Sequence, residues 1–302
     1  MQVIRTNREL QGLADAERGA GRRLALVPTM GALHAGHLAL VEAARRLADR
    51  VWVSIFVNPT QFNDPCDLDG YPRTWDADVA VCRAAGVDAI FAPGAAEMYP
   101  DGAETTVEVG SLALPLCGVA RPGHFQGVAT IVAKLLLAAK PHVAAFGEKD
   151  FQQLAVIRRM VRDLGFDVEI LGVPTVREPD GLALSSRNLR LDPEARRQAR
   201  VLSRGLDAAR LAVVAGERDA ARLLRLATDE IAKAPLAAID YAELRDPTTL
   251  APAPATLGGA ALLALAVFFG PAAGAARHPD TVRLIDNCVL RPTPHPLEVD
   301  PR

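Results

Sequence analysis

Two histidines three residues apart, His34 and His37, stand with Gly36 between them where an apolar run gives way to apolar residues at helical spacing. Leu24-Ala-Leu-Val-Pro28 reads as a strand, a glycine-containing turn follows it, and a helix runs on from His37. Residues three apart in a first helical turn face the same way. Two imidazoles therefore point to a place where unpaired N–H groups and the positive end of a helix dipole favour an anion. Gly36, without a Cβ, lets a ligand lie close to the backbone. Taken singly, either histidine reads as an ordinary loop or cap residue; the pair, with the glycine between them and a strand in front, favours the site.

Four more clusters carry possible chemistry. Asn58-Pro-Thr-Gln-Phe62 puts two amides at a strand end, each able to donate and accept toward a small polar ligand, or to close a turn. Arg121-Pro-Gly-His-Phe-Gln-Gly127 sets a cation and an imidazole ahead of an apolar helix. Phe146-Gly-Glu-Lys-Asp-Phe-Gln-Gln153 repeats the anion-site logic, with the Lys149 ammonium and Asp150 at a helix start; its bland reading is a solvated cap. Leu184-Ser-Ser-Arg-Asn188 offers two hydroxyls and a guanidinium, a phosphate-binding set that in isolation is also a turn or N-cap. Together the clusters suggest a phosphate-rich ligand held between two domains. No Gly-x-x-x-x-Gly-Lys-Ser/Thr loop occurs, so a nucleotide would not be held as in P-loop proteins.

The elements that must position these residues alternate. An opening helix is expected over Ile4–Ala16, strands at Arg50–Val57, Asp88–Ala92, His142–Phe146 and Asp167–Gly172, and helices at Trp75–Ala85, Val128–Ala139 (amphipathic) and Phe151–Leu164. This order implies βαβ units: an α/β fold with a Rossmann-like open parallel sheet and helices on both faces, the polar clusters falling after strands where such sheets bind ligands. Beyond about Pro174 the character changes. Helices at Pro193–Ala215 and Arg218–Ala234 and strands at Ala238–Leu244, Ala261–Phe269 and Thr281–Asp286 predict a smaller α+β domain with an antiparallel sheet. The expected division is 1–175 for the first domain and 176–302 for the second, which closes over the nucleotide.

Composition bounds the partners. Thirty-four Lys and Arg against 36 Asp and Glu give a net charge of −2, which supplies no electrostatic term for nucleic acid or a membrane surface. Cys66, Cys82, Cys117 and Cys288 are scattered, without a close pair for zinc or redox work, which fits a reduced cytoplasm. The N-terminus lacks the apolar core of a secretory signal. Leu257–Ala276 is uncharged, but its continuous apolar part is too short to span a membrane, and it reads as a buried strand with a loose loop after it.

The order and spacing of Pro28-Thr-Met-Gly-Ala-Leu-His-Ala-Gly-His37, Phe56-Val-Asn-Pro-Thr-Gln-Phe62, Tyr71-Pro-Arg73, Arg121-Pro-Gly-His-Phe125, Phe146-Gly-Glu-Lys-Asp150 and Ser185-Ser-Arg-Asn188 resemble the pantothenate synthetase (pantoate-beta-alanine ligase) family of the His-x-Gly-His nucleotidyltransferase superfamily over most of the chain. The resemblance implies a cytoplasmic homodimer that joins pantoate to β-alanine through pantoyl adenylate, converting ATP to AMP and pyrophosphate, with Mg²⁺ carried mainly on the ATP phosphates. It implies catalytic roles for His34, His37, Lys149, Ser185, Ser186 and Arg187. For ATP it implies Pro28, Met30 and Leu184 beside those residues, Gly147 and Asp150 at the ribose, and Val176 by the adenine. Pantoate falls to Met30, Gln61 and Gln153, and the β-alanine side to Asn58, Tyr71 and Arg121. Small-molecule substrates are the implied partners, with neither nucleic acid nor membrane.

Two departures stand out. Some members of the family carry Glu where this chain has Cys117, which removes a carboxylate from a site that binds an amine, and Met where it has Leu184, a nearly volume-conserving change. Gly270–Pro279 reads as an insertion in the second domain. Another adenylyl-transferring enzyme of the superfamily, or a catalytically idle nucleotide-binding protein, would share the fold.

Overall fold

The computed structural model describes residues 1–63, 65–271 and 281–292; most of the insertion expected at Gly270–Pro279 lies outside them. The chain divides into two compact units, Met1–Val176 and Arg177–Arg302.

In the first unit the elements run β1 (Gln2–Ile4), α1 (Asn7–Gly19), β2 (Leu24–Thr29), α2 (Ala35–Arg45), β3 (Arg50–Ile55), α3 (Pro65–Asp69), α4 (Trp75–Ala84), β4 (Ala89–Phe91), α5 (Ala95–Met98), α6 (Cys117–Ala120), α7 (His124–Ala139), β5 (Val143–Gly147), α8 (Phe151–Asp163) and β6 (Glu169–Val173). All six strands are parallel, in the order β1-β4-β3-β2-β5-β6. The dense apolar runs in β2 and β3 reflect burial on both faces. Ala25, Val27, Val51 and Val53 join a core with Leu40 and Val41 of α2 and Cys82 of α4, while the alternate residues Leu24, Leu26 and Trp52 are equally buried. The α/β reading therefore holds.

Two local expectations are corrected. The opening helix starts at Asn7 rather than Ile4, because Thr6 and Glu9 form a reciprocal capping box that fixes its N-terminus. Residues 2–4 form an edge strand instead, in register with Ala89–Phe91. Helix α7 begins at His124, four residues early, and its outward strip is narrow: Val128 to Ala133 are all buried, whereas Lys134 is half-buried and Leu137 exposed. A helix packed on most sides keeps only a narrow strip toward solvent, and apolar residues fill the rest.

The second unit contains α9 (Pro193–Gln198), α10 (Val201–Val214), α11 (Ala220–Ala232) and an antiparallel sheet β7-β8-β9 (Ala237–Arg245, Ala261–Phe269, Val282–Leu290). The helix expected over Pro193–Ala215 is broken at Ala199–Arg200, where Leu202 N bonds Ala199 O, a tighter i→i−3 link. The uncharged segment within Leu257–Ala276 supplies β8, the buried central strand. Among the described residues no helix is long and apolar enough to cross a membrane. The Arg177 guanidinium meets the buried Asp286 carboxylate with two hydrogen bonds, 2.6 and 2.9 Å long.

Candidate active site

From β2 the chain steps through β3 to β4 on one side, then returns to place β5 on the other. Strands β2 and β5 therefore flank the switch point of the sheet, and ligands bind outside the carboxyl ends of such strands. The loop after β2 carries Met30 and His34, and the first turn of α2 carries His37; the turn after β5 carries Lys149 and Asp150.

The two histidines cap helix α2, and they do so reciprocally. His34 Nδ1 accepts from the amide of Gly36 at 3.1 Å, and His37 Nδ1 accepts from the amide of His34 at 3.3 Å. The rings lie side by side, tilted 41° to one another with centroids 4.2 Å apart. A ring nitrogen that accepts carries no proton, so each neutral imidazole keeps its hydrogen on Nε2. Burial, and after it the adjacent His34, pushes the His37 imidazole down to about 3; Asp150 opposes the shift and Lys149 adds to it. His37 is thus a neutral donor at ordinary pH, within the electrostatic reach of both. Lys149 Nζ lies 3.8 Å from Asp150 Oδ2.

A second cluster forms around Gln61, in the 3₁₀ turn Pro59–Gln61. Its Nε2 approaches Met30 Sδ at 3.2 Å, and its Oε1 accepts from Asn58 Nδ2 at 3.0 Å. Asn58 is 1% exposed, accepts from Tyr99 and Thr60, and also donates to Gly127 O. Arg121 donates to the Gln61 carbonyl at 3.0 Å, where His124 Nδ1 also lies, at 2.8 Å. Asn58 and Arg121, expected beside β-alanine, are thus both bonded to Gln61, the residue expected at pantoate. Tyr71 sets its ring edge-on to Phe62. Gln153 and Gly147 are half-buried, at the start of α8 and the end of β5.

Val176, half-buried, ends the first unit. In the second unit, Ser185 caps the 3₁₀ turn Ser186–Arg190, its hydroxyl accepting from the amide of Arg187 at 3.2 Å. Buried Asn188 ties that turn to Ala183 O, and Leu184 is half-buried.

Sequence reasoning overlooked two buried side chains. Gln152 accepts from the amide of Cys117 and donates to Leu112 and Pro115 carbonyls, holding the segment ahead of Arg121; Cys117 itself is 8% exposed. Asp78 binds the loop ahead of His34. A signal for Asp78 existed: it lies on the same helical stripe as Trp75, Val79 and Cys82, where a carboxylate is out of place unless it has partners.

The pantoate-beta-alanine ligase family model matches residues 2–289. The pantothenate synthetase of Syntrophobacter fumaroxidans is 52% identical over 97% of this chain and 99% of its own length, and that of Geobacter sulfurreducens 51% identical over 96% and 99%. The crystal structure of pantothenate synthetase from Thermus thermophilus superposes with a TM-score of 0.88 at 47% identity, covering 97% of this chain and all of that one. Pantoate-beta-alanine ligase from Francisella tularensis, complexed with beta-gamma ATP and beta-alanine, gives 0.74 at 31% identity over 96% and 97%. With paired histidine caps at the switch point and a family match over nearly its whole length, the chain belongs to the pantoate-beta-alanine ligases.

Proposed function

We propose that this chain condenses pantoate with β-alanine at the expense of ATP, through pantoyl adenylate. The observation that carries the reading is the reciprocal pair of histidine caps, each Nδ1 accepting from a backbone amide, with His37 held as a neutral donor in the electrostatic reach of Lys149 and Asp150, in a chain of this family.

A carboxylate is a poor acyl donor because oxide is a poor leaving group. The pantoate carboxylate therefore attacks the α-phosphorus of ATP; a new O–P bond forms, the bond to the β-phosphate oxygen breaks, and pyrophosphate leaves with its electron pair. Charge builds on the phosphoryl oxygens, where preorganised donors act most strongly. His37 meets it as a neutral donor with His34 beside it, and Lys149 adds an ammonium. Ser185, Ser186 and Arg187 are further ATP donors, with Pro28 and Leu184 along the nucleotide, Gly147 and Asp150 at the ribose and Val176 at the adenine. Gln61, whose carboxamide is fixed by Asn58, grips pantoate with Gln153, and Met30 lines its apolar side. The neutral amine of β-alanine then attacks the mixed anhydride, and AMP departs; Tyr71 belongs to that half of the site, with Asn58 and Arg121 acting there through Gln61.

The nucleotide enters as MgATP, since substrate phosphates commonly supply several Mg²⁺ ligands. The free thiols of Cys82 and Cys288 fit a cytoplasmic setting, and the family resemblance favours a homodimer. The test is pantoate-dependent exchange of labelled pyrophosphate into ATP, followed by product identification with β-alanine added. Exchange that needs pantoate alone, and pantothenate formed with both, are the expected results; ATP consumption indifferent to both would sink the reading.

A further inference from the structure

Asp78 lies in the first turn of α4, 2% exposed, and its carboxylate is directed at the loop between β2 and α2. Oδ2 accepts from the amide of Ala32 at 3.0 Å and from the Thr74 hydroxyl at 3.1 Å, and Oδ1 accepts from the amide of Leu33 at 2.8 Å. Two consecutive amides converging on one carboxylate is the arrangement by which backbone nests hold anions. Here the anion belongs to the chain itself.

That loop has an unusual path. Gly31 has φ +85° and Ala32 φ +51°, a region that L side chains adopt at a cost. A Cβ on Gly31 would also come within 3.0 Å of Asp78 Oδ2, so glycine is required there on both counts. The bend is held by its amides, each of which is bonded. Gly31 N donates to Thr29 Oγ1, Ala32 N and Leu33 N to Asp78, and His34 N to His37 Nδ1. The last of these bonds keeps the His37 proton on Nε2. A continuous chain of hydrogen bonds and peptide units thus joins the Asp78 carboxylate to the His37 imidazole, and the same loop carries Met30 to Gln61.

We propose that Asp78 is a positioning residue for the ligase: it fixes the Thr29–His34 loop so that both imidazoles present Nε2–H in one tautomer, and it does so without touching substrate. The inference rests on the functional reading above. In Asp78→Asn the shape is kept, but one acceptor oxygen becomes an NH₂ facing an amide N–H. One loop amide then loses its partner, the bend relaxes, and the hydrogen bond from His34 N to His37 Nδ1 loosens.

The experiment pairs activity with a spectroscopic signature. In the ¹⁵N-histidine-labelled full chain, the wild type is expected to give separate acceptor-type Nδ1 and protonated-type Nε2 resonances for His37 near neutral pH. Asp78→Asn is expected to move the two toward each other as the second tautomer is populated, and to lower kcat for pyrophosphate exchange about 100-fold, more than it raises KM for ATP. Folded Asp78→Asn with unmoved resonances and exchange within about threefold of wild type overturns the proposal. Should Asp78→Asn fail to fold, Thr74→Val takes its place, removing only the hydroxyl donor. Partial mixing of the tautomers there supports the anchor, and unmoved resonances overturn it. The resonances need no substrate, so the anchor can fail while wild-type exchange stands; absence of pantoate-dependent exchange in the wild type would fail the ligase reading instead.

Discussion

At the residue scale, His34 and His37 are caps and donors at once, and the first role makes the second possible. Because each Nδ1 is spent on a backbone amide, each proton sits on Nε2. Replacing one preorganised donor in such a site costs about 100-fold or more in rate. Accordingly His37→Ala and Lys149→Ala should each lose pyrophosphate exchange to at least that extent with an unchanged circular dichroism spectrum; normal exchange would remove them from the machinery. The buried imidazole also leaves a mark on stability. Unfolded His37 takes up a proton as pH falls below 6.5, whereas the folded residue resists until about 3. Between those values the unfolded state binds more protons, so stability falls as the pH falls through that window. Urea midpoints measured from pH 7 to pH 4 should drop more steeply for wild type than for His37→Gln, a difference that cancels the contributions of other titrating groups.

At the element scale, close approach matters more than periodicity. A Cβ on Gly127, in α7, would lie 2.4 Å from Thr60 O and 2.8 Å from Gln61 N, both backbone atoms with no flexible end to swing away. Gly127→Ala should therefore push the Gln61 turn off α7 and raise KM for pantoate several-fold, with a smaller effect on KM for ATP. Steady-state kinetics with each substrate varied would check it, and equal changes in both constants would count against the assignment of Gln61. This contact was invisible in the sequence, because a glycine in an apolar helix gives no sign of which backbone it faces. The strands were legible, since apolar runs such as Arg50–Val57 and Ala261–Phe269 fit little else in a chain of this alternation. Starts and breaks of helices were less so. The Thr6–Glu9 capping box was present in the sequence and moves α1 by three residues, but the break at Ala199–Arg200 lies among good helix formers and has no local signal. The candidate site followed the same division. His34, His37, Lys149 and Asp150 were readable because their spacing after strands implies shared space; helical spacing could mark Asp78 as a buried carboxylate in need of partners, but which distant loops Asp78 and Gln152 hold is not written in spacing.

At the scale of the whole molecule, charge is nearly balanced: 34 basic against 36 acidic residues leave −2. Such a chain has no long-range field to concentrate a nucleotide, so recognition of a multiply charged substrate must come from donors at the site itself. The proposed donors are short-range: the two capping imidazoles, the Lys149 ammonium, whose side chain is 18% exposed, and the Ser185, Ser186 and Arg187 side chains of the second unit. Salt screens charges separated by more than a Debye length of about 10 Å, and partly buried contacts far less. The expected result is a KM for ATP that rises less than about threefold between roughly 0.05 and 0.2 M KCl at constant excess Mg²⁺, where a protein neutralising many phosphates of a polyanion loses about 10³-fold. A steep dependence would mean that exposed cations other than Lys149 and Arg187 carry much of the binding. The flat dependence would place ATP recognition in the local geometry that the two capping histidines and their loop maintain.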